Sequence, residues 1–260
     1  MISFDLSRRF LRVWQRNFVV YCKTWKIGFI PPLLEPLFYL AAFGVGLGVM
    51  VGQVHYNGKE ISYTAFIAPA LISINIMQSA FFETTFASFV RMFYQKTFDG
   101  MLATPLSVDE VITGELLWGA TKSAIGTTLM MLVISAFGLL HNPGALLLIP
   151  IAFLGGLAFA CVGMIFTAIV PTIEVFNLPI FLFITPMFLF GGTFFPLSNL
   201  PAWAQIVAYT LPLTHLVELC RGTGLGGWHS ELLYSLLYLL LWIAIFFPLA
   251  IILMRRRLIK

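Results

Sequence analysis

The sequence predicts an all-α integral membrane fold: an amphipathic amino-terminal helix in the membrane interface, six transmembrane helices, and a re-entrant outer segment between spans five and six. Three observations carry this. Hydrophobic residues make up 60% of the 260 positions and charged ones only 10%, against roughly 25% charged in a soluble domain. A water-soluble fold of that composition would lack the polar surface to cover its apolar one. The charges are also bunched. No Asp, Glu, Lys or Arg falls between Glu60 and Glu83, Lys122 and Glu174, Glu174 and Glu218, or Glu231 and Arg255, stretches of 22, 51, 43 and 23 residues. About 20 apolar residues as a helix cross a ~30 Å hydrocarbon core, so the longest stretch holds two spans. Finally, a six-span threading puts thirteen of the fifteen Lys and Arg residues on one side. That positive-inside bias sets both ends in the cytoplasm.

The elements follow in order. Residues 1–26 place Arg8, Arg9, Arg12, Arg16, Lys23 and Lys26 among Phe4, Leu6, Phe10, Leu11, Val13, Trp14 and Phe18, the pattern of a basic amphipathic helix on anionic headgroups; a solvated arm is the alternative. The six spans occupy 27–254. Span one runs over 27–51, entered through Pro31, Pro32 and Pro36, with Gly44, Gly46 and Gly48 suited to close helix contact. A short polar loop with His55, Asn57, Lys59 and Glu60 leads to span two, 62–89. A polar segment over 91–109 contains the turn signals Asp99-Gly100 and Thr104-Pro105. Span three covers 111–140, a turn lies at 141–144, and span four covers 146–170. A tight turn over 171–177 precedes span five, 178–190. The stretch 191–228 carries Pro196, Pro201 and Pro212 and reads as non-helical turns plus short helices, among them an amphipathic piece at 202–211. Such backbone is tolerated at membrane depth only against protein or water. Span six, 232–254, ends in the cytoplasmic tail 255–260.

The start of the chain lacks the compact apolar core and small-residue cleavage site of a signal peptide. Cys22, Cys161 and Cys220 are scattered without a CxxC pair, so neither a metal site nor a disulfide is expected. The four histidines, His55, His141, His215 and His229, fall far apart on loops and in the outer segment; no catalytic constellation is recognisable and no enzyme is predicted. Lys96-Thr97 and Lys122-Ser123 lack the preceding glycines of a phosphate-binding loop. Energy for uphill transport must therefore come from another subunit or an ion gradient. A gradient calls for acidic or His residues deep in the spans. Glu35, Glu83, Glu115, Lys122 and Glu174 are read as lying within about two turns of the cytoplasmic side, where pairing or snorkelling explains them equally well. The segment between spans two and three is more informative. A helical turn near 97–102 would turn Phe98, Met101 and Leu102 toward the cytoplasm, as a docking surface for a soluble partner or as an amphipathic interface helix.

Several runs resemble the permease subunits of ABC-2 type exporters. These are Tyr63-x-x-Phe66-Ile67-Ala68-Pro69, Phe82-Glu83, Arg91, Leu102-x-Thr104-Pro105 and Gly114-Glu115-Leu116-x-Trp118. In the outer segment Pro186 to Pro196, Leu200-Pro201, Pro212-Leu213-Thr214-His215 and Arg221 continue the resemblance. It runs over about 60–225 and is greatest to the lipo-oligosaccharide (nodulation-factor) export branch, with daunorubicin-type drug exporters as near relatives. Gly191-Gly192 departs from the Ser-Gly of the family pattern.

The resemblance implies one ABC-2 domain over 1–260 in the bacterial cytoplasmic membrane, in contact with membrane lipid. It implies pairing with a second permease copy and two separate ABC ATPase subunits, with ATP and Mg on the ATPase, no cofactor on this chain and no nucleic acid. Thr97, Phe98, Asp99, Gly100, Met101, Leu102, Thr104 and Pro105 would form the ATPase-coupling region. Glu83 and Arg91 would lie at an inner gate, and Phe194, Phe195 and Pro196 at an outer re-entrant gate. The cargo path would run at the homodimer seam, where Tyr39, Phe81, Phe82, Phe181 and Phe188 are candidates to stack on sugar rings or pack an acyl chain. The expected cargo is a lipid-linked or glycolipid/oligosaccharide-type amphiphile. A hydrophobic-drug exporter, a proton-coupled secondary transporter and a non-transporting scaffold are the competing readings.

Overall fold

A computed structural model describes residues 6–56, 58–140, 142–227 and 230–259. Phe4, Asn57, His141, Trp228, His229 and Lys260, which figure in the sequence reading, lie outside them. Among the described residues six helices are long and apolar enough to cross a membrane, so the chain is a multi-pass membrane protein.

Helix α1 (Phe10–Lys23) turns Val13 and Asn17 into the bundle and leaves Leu11, Phe18, Val19 and Val20 exposed. Val13 is buried against Gly114 of the third span, where an added Cβ would come within 2.5 Å of the valine Cβ. Only glycine allows this approach. The Trp14 indole donates to Thr121 Oγ1 at 2.9 Å, pinning the helix along the same span.

The first span, α2 (Gly28–Val51), absorbs its three prolines and passes through a π-helical stretch, Leu40–Leu47. Gly44 and Gly48 bring it against Thr64, while Gly46 faces open space. The expected polar loop is instead a two-stranded antiparallel hairpin, β1 (Gln53–Tyr56) and β2 (Lys59–Ser62), with Gln53 opposite Ser62. Its backbone groups pair with each other rather than with solvent, and Gly58 takes φ +73°.

Helix α3 (Tyr63–Tyr94) starts at Ser62, whose side chain accepts from the Ala65 N–H. It is the most buried span and packs against the third and fourth. Two π-helical turns, Glu83–Ala87 and Val90–Tyr94, widen its last third. Helix α4 (Thr97–Leu102) follows a reversal at Lys96. Helix α5 (Val108–Ala136) opens with a capping box between Ser107 and Glu110.

The fourth span, α6 (Pro143–Ile169), begins with a 3₁₀ turn at Pro143–Leu147. Its small residues lie close to neighbours: Gly156 against Ser123, Gly163 against Thr84. Helix α7 (Ile173–Phe190) is the fifth span. The outer segment is more helical than expected. It holds α8 (Ala202–Tyr209) and a 14-residue helix, α9 (Pro212–Leu225). Pro212 opens α9 rather than breaking it, because the N–H it lacks has no partner in a first turn. Burial of α9 against α3, α6 and the last span satisfies the membrane's demand that irregular backbone be covered by protein. Helix α10 (Ser230–Leu258) is the sixth span. Ser7 hydrogen-bonds Glu110, and Arg255 pairs with Asp109, so Ser7 and Arg255 meet at the end of the bundle that carries α4.

Candidate functional site

Four charges from α3 and α5 meet in one knot. Arg91 Nη1 donates to Glu83 Oε1 at 2.8 Å, and its Nη2 to Glu115 Oε2 at 2.6 Å. Lys122 Nζ reaches the other oxygen of Glu83 at 2.6 Å. Neutral donors complete the carboxylates: Asn17 and Ser88 each bond Glu115 at 2.7 Å, and the Trp118 indole bonds Glu83 at 3.0 Å. Glu115 is wholly buried and Glu83 nearly so. The π-helical turns bring Ser88 and Arg91 onto the face that carries Glu83; Ser88 Oγ donates to the Glu83 carbonyl five residues back. Two carboxylates and two cations balance, and nearly every lone pair is used, the condition under which buried ion pairs are tolerated.

The resemblance implies Glu83 and Arg91 near an inner gate; the structure brings the two side chains into contact. It adds Glu115, Lys122, Trp118, Asn17 and Ser88. Lys122 lies fourteen residues into α5, about 20 Å along the axis at 1.5 Å per residue. That is deeper than the two turns expected, and its ammonium bonds Glu83 rather than snorkelling to an interface.

The knot forms part of the wall of a cleft of about 720 Å³ between α1, α2, α3 and α5. Its lining mixes Arg16, Asn75, Gln78 and Ser79 with Phe82, Phe86 and Val90. Of the proposed path aromatics, Phe82 lines the cleft, but Phe81 does not. It is fully buried on the opposite side of α3, edge-on to Phe166 of α6, because its neighbour in sequence takes the cleft face. Phe181 is 70% exposed on the outside of α7. Tyr39 and Phe188 belong to a separate aromatic chain: Tyr39 stacks on Phe43 (5.9 Å between centroids), Phe43 meets Phe194 (5.2 Å), and Phe194 meets Phe188 (5.0 Å). This chain joins α2 and α7 to the turn before α8. Phe195 is half-buried beside Phe194.

Pro196 borders a second cavity of about 420 Å³, shared with Tyr56, His215 and Glu218. There the Tyr56 hydroxyl donates to Glu218 at 2.8 Å. Burial first, and the Glu218 charge second, raise the Tyr56 phenol above its ordinary range, so it stays a donor. Arg221 lies over the Phe66 ring at 3.7 Å and donates to the Phe66 and Thr193 carbonyls. It ties the outer segment to α3.

Helix α4 corrects the sequence reading. Phe98 is fully buried, and Met101 and Leu102 are half-buried against the bundle. Spaced three and four residues apart, they make one helical face, and that face turns inward. What α4 exposes is Asp99, Gly100, Thr104 and Pro105, with Phe93 and Tyr94 alongside; Thr97 is half-buried. The Arg9 guanidinium donates to the Pro105 carbonyl at 2.6 Å. Together with the contacts of Glu110 to Ser7 and Asp109 to Arg255, this ties α1, α4, α5 and α10 at one end of the molecule.

Comparison with known proteins agrees with this architecture. The family model described as ABC-2 type transporter matches residues 8–225. Nodulation protein J of Rhizobium leguminosarum bv. viciae is 37% identical over 250 residues, covering 96% of this chain and 95% of that protein. Nodulation protein J of Rhizobium meliloti (strain 1021) is 36% identical over 217 residues, 84% and 81% of the two chains. The inner membrane transport permease YadH of Escherichia coli (strain K12) is 22% identical over 215 residues, 82% of each. With six spans, a helical segment between spans two and three and a re-entrant segment before the last span, the chain belongs to the ABC-2 type transporter family.

Proposed function

We propose that the chain is the permease subunit of an ATP-driven exporter that moves a lipid-linked or glycolipid-type amphiphile across the bacterial cytoplasmic membrane. It is non-catalytic. Two ABC ATPase subunits bind ATP and Mg, and a second permease copy completes the path. Both ends and α4 face the cytoplasm, the side favoured by the distribution of Lys and Arg.

The observation that carries this reading is the continuity from α4 to the cleft. Helix α4 starts three residues after Tyr94 and exposes Asp99 and Gly100, and Tyr94 ends the helix whose last turn holds Arg91 in the charged knot. A partner that moves α4 therefore moves the group on which Glu83, Glu115 and, through Glu83, Lys122 depend. Asp99, Gly100, Thr104 and Pro105 contact the ATPase, while Phe98, Met101 and Leu102 fix α4 to the bundle so that the push is transmitted. The knot is the inner gate. The Phe43–Phe194–Phe188 contacts, with Phe195 and Pro196, form the outer one. ATP drives the change only through a difference in its affinity for the two arrangements. The mixed polar and aromatic lining of the cleft favours a cargo with both a head group and a chain over a purely apolar drug.

The test is to place Gly100→Trp and Asp99→Arg on the exposed side of α4 and measure co-purification with the ATPase and ATP turnover of the reconstituted complex. Loss of both, with the permease still folded, is expected. Unchanged association and turnover would refute the docking assignment.

A further inference from the structure

Beyond the charged knot the cleft continues to a polar pair that the knot does not use. On α3 the residues Asn75, Ser79, Glu83 and Arg91 recur at multiples of four and share the cleft, so they make one face of the helix. Facing its far end, Glu35 of α2 accepts a hydrogen bond from Asn75 Nδ2 at 3.2 Å. Among the described residues this is the only hydrogen bond of Glu35, and no Lys or Arg pairs with it; Lys122 is committed to Glu83. Asn75 is buried, and its Oδ1 has no partner. Gly126 of α5 lies beside that oxygen: a Cβ there would stand 3.0 Å from Oδ1, so the glycine leaves the amide room to turn its NH₂ toward Glu35. The result is a half-buried carboxyl, oriented from behind, with acceptor capacity open to the cleft. Apolar surroundings disfavour such a group unless a donor is supplied.

We infer that Glu35 and Asn75 form a cargo-reading subsite that binds a hydrogen-bond donor, a hydroxyl or amide N–H, on the head group of the amphiphile. This rests on the exporter reading and names its specificity determinant. A site built around a buried acceptor strongly rejects analogues that lack the matching donor. An apolar cargo would leave Glu35 unsatisfied, whereas a saccharide head replaces the water it displaces. Oriented by Asn75, Glu35 contacts the cargo; Asn75 acts through it.

The experiment uses the permease in nanodiscs with its ATPase. It compares binding of dodecyl maltotrioside, tagged with a fluorophore on the alkyl chain, with binding of the same tagged dodecane, which carries no hydrogen-bond donor at its head end. Glu35→Leu and Asn75→Leu should weaken trisaccharide binding by about tenfold or more and leave dodecane binding unchanged, which also shows that the variants are folded. Glu35→Gln keeps an acceptor oxygen and should stay within about threefold of the wild type. Trisaccharide binding unchanged in both leucine variants overturns the subsite, as does parallel loss of both probes, or Glu35→Gln failing as badly as Glu35→Leu. A wild-type complex that binds neither probe would instead refute the exporter reading, and the subsite with it.

Discussion

Removing four charges from water in one place is costly, and the knot around Arg91 is stable because each carboxylate accepts at least three hydrogen bonds. Its weakness follows from the same fact. Arg91→Met would leave Lys122 on Glu83 and strip Glu115 of its ion-pair partner, and breaking a buried pair costs about 3–5 kcal/mol. A large drop in thermal stability in detergent is expected for Arg91→Met. Partial recovery in Arg91→Met with Glu115→Gln would show that the penalty is the stranded charge. A second local prediction concerns Lys96, which sits at φ 53°, the single positive-φ residue other than glycine among the described residues. The left-handed region costs a non-glycine residue about 1–2 kcal/mol. The side chain's pair with Asp99 is exposed and long at 3.8 Å, so it returns little. Lys96→Gly should keep or raise the melting temperature, and Lys96→Val should lower it. The residue types of the knot were visible in the sequence, but their pairing was not: Arg91 and Glu115 stand 24 residues apart, and Lys122 and Glu83 stand 39 apart. No helical spacing links them.

At the scale of elements, the amphipathic pattern of α1 specifies an apolar face without saying what covers it. Gly114 decides. A side chain there meets Val13 at 2.5 Å and the Phe10 carbonyl at 2.9 Å, so Gly114→Val should lift α1 from α5. Faster hydrogen exchange over Phe10–Lys23, with the rest of α5 still protected, is the expected signature. The same ambiguity hides the orientation of α4. A six-residue helix with Phe98, Met101 and Leu102 on one face fits a partner's groove or its own bundle equally well by composition. The hairpin was partly legible, since Asn57-Gly58 is a hairpin dipeptide, but strands of four residues are too short for alternation to stand out.

Helix α9 gives the pH prediction. His215 stacks on Tyr238 at 4.0 Å and contacts Ser235 Oγ and the Tyr209 carbonyl. Burial, more than any neighbouring group, lowers its pKa below the ordinary histidine value. The unfolded chain therefore binds a proton first as pH falls, so stability should decline from about pH 6.5 downward. Thermal unfolding of His215→Gln should show a flatter pH dependence over that window.

For the whole molecule, the bilayer made the architecture readable. Charge-free stretches matching its thickness located the spans, because lipid penalises unpaired charge wherever it falls. The π-helical turns of α3, which align Glu83, Ser88 and Arg91 in the charged knot, carry no sequence signal of that kind. The helices differ in how far the protomer covers them: α3 is largely enclosed, while α2 and α7 are not, with Phe38 69% and Phe181 70% exposed. If a second copy covers α2 and α7, cysteines at Phe38 and Phe181 should crosslink between copies in native membranes, whereas a cysteine at Leu241 of α10, 60% exposed, should not.

The most direct measurement is transport itself. Vesicles holding the permease alone, or the permease with its ATPase, are supplied with a fluorescent acyl trisaccharide and either ATP or an imposed pH gradient. The account predicts movement only where ATPase and ATP are both present, and none with Arg91→Met. Transport by the lone permease on a pH gradient would contradict it.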